Sequence, residues 1–107
     1  MAIELKCSTH AKERIKERIN IQDKRQIKEL TRKAYHNGMC MKKHYFPKGL
    51  LRWIDYKVNQ SYFGRCSQFR VYQNYLFLFS KNLTLVTVLE IPQKLQVRKD
   101  IKDLKRF

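Results

Sequence analysis

The sequence predicts an α+β domain: about three N-terminal helices packed on a C-terminal three-stranded antiparallel β-meander, four-stranded if residues 3–6 add an edge strand. Three observations predict it. Apolar residues recur at helical spacing over roughly the first sixty positions, β-branched and aromatic residues crowd between 69 and 91, and helix signals end before strand signals begin. Helices segregated from strands in this way form α+β rather than alternating α/β domains. One domain accounts for residues 1–107, a length that supports a modest core without disulfides or metal.

Ser8 or Thr9 can cap the first helix, whose orphan amides need an acceptor, and the helix runs to about residue 20. Ala11, Ile15 and Ile19 form its buried stripe. His10, Arg14 and Arg18 repeat one position earlier, about 100° round the helix, at the rim of the buried face. Asp23 with Gln26 resembles a capping box for the second helix, which Gly38 stops. Ile27, Leu30 and Ala34 face its core side, and the rest is largely basic. A basic loop follows, and Pro47 opens a third helix to about residue 60 with Leu50, Ile54 and Val58 inward. Gly64 marks the turn into the sheet.

The strands are expected at 69–72, 75–80 and 83–91, with two-residue turns at Gln73-Asn74 and Lys81-Asn82. That register sets Tyr72 opposite Tyr75, Ser80 opposite Leu83, and Leu78 opposite Leu85. One face then carries Phe69, Val71, Leu76, Leu78, Leu83, Leu85 and Leu89, and is expected to receive the first two helices. The other carries Arg70, Tyr72, Tyr75, Phe77, Phe79, Val86 and Val88, and is either open or covered by the third helix and Trp53.

Composition points to a partner. Lys and Arg number 24 against 9 Asp and Glu, a net charge of +15. Such an excess repels itself in a compact state and answers a polyanion. Three cysteines without a C-x-x-C pair fit reduced thiols in a cytoplasm. Cys7-x-x-His10 and His36-x3-Cys40-x3-His44 have zinc-like spacing, but Gly38 interrupts the helix that would align the second set. No metal and no cofactor are expected, and nothing approaches a membrane span.

Three basic constellations are candidate nucleic-acid contacts. His10, Arg14 and Arg18, beside Lys12, can track successive phosphates. Arg70 with Tyr72 and Tyr75 on the aromatic sheet face can hold a phosphate and unstacked bases. The loop Lys42, Lys43, His44, Tyr45, with Lys48 and Arg52 beyond it, interleaves charge and aromatics as single-strand grooves do.

The segments S-T-H-A-K-E-R-I-K-E-R-I-N-I, F-R-V-Y-Q-N-Y-L-F-L-F-S and L-T-L-V-T-V-L-E-I-P resemble, over about residues 5–92, a group of small basic proteins of phages and mobile elements in gut Firmicutes. Helices on an antiparallel sheet are also distantly similar to the RelE/ParE-type ribonuclease toxins, in which residues 2–6 and 94–99 would supply further strands. The resemblance implies the cytoplasm of a bacterial host cell.

The expected function is nucleic-acid binding, RNA favoured over DNA. It extends to metal-independent RNA cleavage if His10 or His44 serves as acid/base while Arg14, Arg18 or Arg70 stabilises the phosphorane charge. The alternative, implied by the phage setting, is an accessory protein that inhibits a host defence complex, such as a CRISPR effector, through its protein or guide RNA. The sheet's edges could also pair in a homodimer.

Overall fold

The computed structural model describes residues 5–40, 44, 46–61 and 67–96. Strand β1 (Lys6–Cys7) is followed by helices α1 (Thr9–Arg18), α2 (Lys24–Asn37) and α3 (Lys48–Ser61). Strands β2 (Gln68–Tyr72), β3 (Tyr75–Phe79) and β4 (Thr84–Glu90) then close the fold, and a short 3₁₀ turn occupies Gln93–Leu95. The expected α+β arrangement is present. Gly64 and the residues from 97 onward lie outside the described residues.

The sheet has four strands in the order β1-β4-β3-β2. It is mixed rather than purely antiparallel, because β1 lies parallel to β4, with Lys6 beside Thr84 and Cys7 beside Leu85. The edge strand expected at 3–6 thus falls at Lys6–Cys7 among the described residues, and residues 93–95 form a helical turn, not a strand.

The first hairpin is as expected. Gln73 and Asn74 take positive φ values of 52° and 65°, and Tyr72 pairs with Tyr75. The second differs from the two-residue reading. Its loop is Lys81-Asn82-Leu83, with Leu83 at φ 63° and the Ser80 amide donating to the Thr84 carbonyl at 2.8 Å. A three-residue loop ending in a left-handed residue is the next commonest hairpin connection. Phe79 therefore pairs with Leu85, and Leu78 pairs with Thr87, leaving Val86 as the extra residue of a β-bulge. Loop and bulge together shift β4 by two positions. The facing of Val88 and Leu89 survives, whereas Leu85 moves to the aromatic face and loses its expected partnership with Leu78.

Both faces of the sheet are covered, and the helices are distributed opposite to expectation. Ala11 and Ile15 of α1 and Ile27, Leu30 and Ala34 of α2 pack on Phe77, Phe79, Leu85 and Val88. Leu50 and Ile54 of α3, with Trp53 half-buried beside them, pack on Val71, Leu76, Leu78 and Ile91. Volume explains the choice. Ala11 in the first turn of α1 and Ala34 in the last turn of α2 leave room for two phenylalanine rings, while the bulkier α3 side chains meet the thinner aliphatic face.

Gly38 ends α2 where the chain turns onto the sheet. Its φ of −69° is not left-handed; the glycine is needed because a Cβ there would meet the Ala34 carbonyl oxygen, Arg70 Cβ and Val71 O. Directly after it, Met39 and Val71 exchange two backbone hydrogen bonds, of 2.7 and 3.0 Å.

Candidate functional site

The candidate residues on α1 start from its cap. The Ser8 hydroxyl accepts from the Ala11 amide, which fixes the helix start and places His10 in the exposed first turn. Arg14 pairs with Glu17 at 2.7 Å on the same helix. Arg18 donates to the Val88 carbonyl at 2.9 Å, and its own carbonyl accepts from the Tyr75 hydroxyl at 2.9 Å. The stripe thus follows the rim between α1 and β4, but its last arginine is anchored to the sheet.

Arg70 is engaged on all three guanidinium nitrogens, with Tyr35 O, Phe69 O and Gln68 Oε1, and stacks 4.6 Å above the Tyr35 ring. It sits on β2, two strands away from β4, so it is not brought to the α1 rim. Tyr72 and Tyr75 are half-buried against the α1/α2 core, and Tyr72 meets Phe77 edge to face. The aromatic face therefore serves as core.

His44 and Arg52 belong to a different region. His44 exchanges contacts with Cys40: its Nδ1 accepts from the Cys40 amide at 3.3 Å, and its own amide donates to the Cys40 carbonyl at 3.0 Å. Arg52 is exposed on α3, the helix that covers the other sheet face. Lys42, Lys43 and Tyr45 lie outside the described residues. Among the described residues, no three His, Cys, Asp or Glu side chains gather closely enough to hold a metal ion, and no helix is long and apolar enough to cross a membrane.

One constellation does converge. A recess of about 240 Å³ opens between α1, α2 and the β1 edge. Lys12 and Lys16 reach it from α1, and Lys24 and Lys28 from α2. Each pair is four residues apart, so its members stand one helical turn from each other. The floor is Leu5, Cys7, Ile27 and Thr31. The Thr31 hydroxyl donates to the Ile27 carbonyl at 2.9 Å. Burial pushes the Cys7 thiol above its ordinary range, against the opposing pull of the Thr31 hydroxyl and Lys12. All four lysines are exposed. Among the described residues the ion pairs are Arg14–Glu17 and Arg32–Glu29, and none of the four ammonium groups belongs to one.

Sequence reasoning singled out Lys12 and passed over Lys16 and Lys24. The available signal was two Lys-x3-Lys pairs on consecutive helices, which says that each pair shares a helix face but not that the two faces meet. The residues lining the recess are four lysines around Leu5, Cys7, Ile27 and Thr31, with neither histidine nor carboxylate among them, so the arrangement can hold anionic groups above a largely apolar floor. No family model, curated protein or solved structure matches this chain.

Proposed function

We propose that this protein binds RNA through the lysine-ringed surface of α1 and α2. The observation that carries the reading is the convergence of Lys12, Lys16, Lys24 and Lys28 around one opening, uncompensated by carboxylates among the described residues, in a chain of net charge +15. Four mobile ammonium groups displace counterions from phosphates, the main source of affinity in sequence-independent nucleic-acid binding.

RNA is favoured over duplex DNA by shape. A helix that reads DNA projects into the major groove, whereas these lysines border a recess between two helices that are both packed on the sheet. A concave basic patch suits loops and ends of single strands.

The test is the salt dependence of affinity for a labelled RNA. Replacing the four lysines by glutamine should lower the slope of log K against log salt by roughly 3, at about 0.7 per single-strand phosphate contact. The melting temperature should hold, since the four side chains are exposed. An unchanged slope and affinity would overturn the proposal.

A further inference from the structure

We infer that the recess between α1, α2 and β1 receives one unstacked nucleobase, so that the protein selects single-stranded over double-stranded RNA without reading base identity. This rests on the RNA-binding reading above.

Size comes first. At about 240 Å³ the recess is smaller than the roughly 300–1,000 Å³ of drug-sized sites, and it suits a single planar ring system. Chemistry comes next. Its floor is built from the Leu5, Cys7 and Ile27 side chains, which offer an apolar surface to a base. The one hydroxyl there, on Thr31, already donates to a backbone carbonyl. Burial keeps the Cys7 thiol neutral, so it puts no negative charge against a base or phosphate. The Thr31 oxygen keeps acceptor lone pairs, but every base carries an N–H donor on its Watson–Crick edge, so this one acceptor does not tell bases apart, and the floor contact is mainly one of dispersion and exclusion of water.

The rim completes the fit. Side chains four apart on a helix stand about 5–6 Å from each other at Cβ, so Lys12 with Lys16, and Lys24 with Lys28, can hold the phosphates on either side of a buried base. A base in a duplex is paired and stacked, and must be flipped out at a cost of a few kcal/mol before it can enter. A base in a single strand is already available. The recess therefore discriminates between strand states by accessibility, and the charges supply affinity to both.

The experiment is fluorescence anisotropy at fixed moderate salt with labelled oligo-U, oligo-A and a duplex of matched length. The wild-type protein should bind the two single strands within about three-fold of each other and roughly ten-fold more tightly than the duplex, since stacking contacts are sequence-tolerant. Cys7→Phe, which fills the recess and leaves every lysine in place, should abolish that preference and keep the salt slope. Leu5→Trp is a second filling variant in case Cys7→Phe melts early. In the wild-type protein, 4-thiouridine placed in oligo-U should crosslink to Leu5, Cys7 or Ile27 on irradiation. Equal binding of single strand and duplex, a preference that survives filling, or crosslinks confined to other surfaces would each overturn the inference while RNA binding itself stands. Absence of any RNA binding at low salt would remove the proposed function as well.

Discussion

The Ser8 hydroxyl donates a 3.0 Å hydrogen bond to the carbonyl oxygen of Val86, the extra residue of the β4 bulge, while accepting from the Ala11 amide at 3.0 Å. One side chain thereby caps α1 and satisfies a carbonyl that the bulge withdraws from the ladder. The Ser8 amide adds a third tie, to Leu85 O at 3.0 Å. Helix start, edge strand and bulge are locked at one point. Ser8→Ala should cost about 2–4 kcal/mol, the sum of a lost N-cap and a bulge carbonyl left without its partner. Urea unfolding measures it. A loss of a few tenths would show that water replaces the hydroxyl at no cost.

Arg18 and Tyr75 make a second lock at the other end of α1. Arg18 reaches Val88 O, and the Tyr75 phenol reaches Arg18 O. Tyr75→Phe keeps the ring in the core and removes only the hydroxyl, so it should cost about 1 kcal/mol. Arg18→Ala should lower the melting temperature more than it lowers RNA affinity. The reverse order would assign Arg18 to binding rather than to the fold.

Thr87 is fully buried, and its hydroxyl has no hydrogen-bond partner among the described residues. It faces Leu78 across the sheet, on the side that α3 covers. Thr87→Val keeps the shape and removes the uncompensated polar atom, so it should raise stability by about 1 kcal/mol. A calorimetric melt of the two proteins decides it, and a destabilised variant would mean that the hydroxyl has a partner in solution.

Cys7 makes stability fall at high pH. Burial raises its pKa above the ordinary 9.0, so the folded state holds the thiol proton to a higher pH than the unfolded chain does. Below 9.0 both states are protonated and the residue contributes no pH dependence. As pH rises beyond that, the unfolded chain releases its proton first and stability declines until the folded thiol also ionises. The difference in unfolding free energy between wild type and Cys7→Ala, followed from neutral pH to about pH 10.5, should therefore shrink only in the alkaline range. A difference that stays constant would show that the thiol titrates normally.

Local chemistry was legible in the chain itself. Ser8 as a cap, the positive-φ turn at Gln73-Asn74 and the pairing of Tyr72 with Tyr75 all depend on residues within a few positions of one another, whereas the end of α2 at Gly38, though marked by the glycine, is also required by the close approach of Arg70 and Val71. The +15 charge and the two-faced alternation of β2 and β3 are likewise properties of sequence alone. The tertiary structure decided three matters that involve partners far apart in the chain. Volume matching sent α1 and α2, with Ala11 and Ala34, to the phenylalanine face and α3 to the aliphatic one. The longer second loop moved Leu85 across the sheet, because a shift of one residue exchanges faces, and the bulge at Val86 added the second shift that returned Val88 and Leu89 to their expected faces. The packing of α1 beside α2 over the β1 edge brought Lys12 and Lys16 to Lys24 and Lys28, whereas Arg14, Arg18 and Arg70 were drawn to Glu17, Val88 O and Tyr35. Guanidinium groups, with several donors each, are captured by nearby carbonyls and rings, and strongly hydrated ammonium groups stay at the surface. Which of these cations stand exposed without an ion pair among the described residues was therefore set by packing, not by their order along the chain.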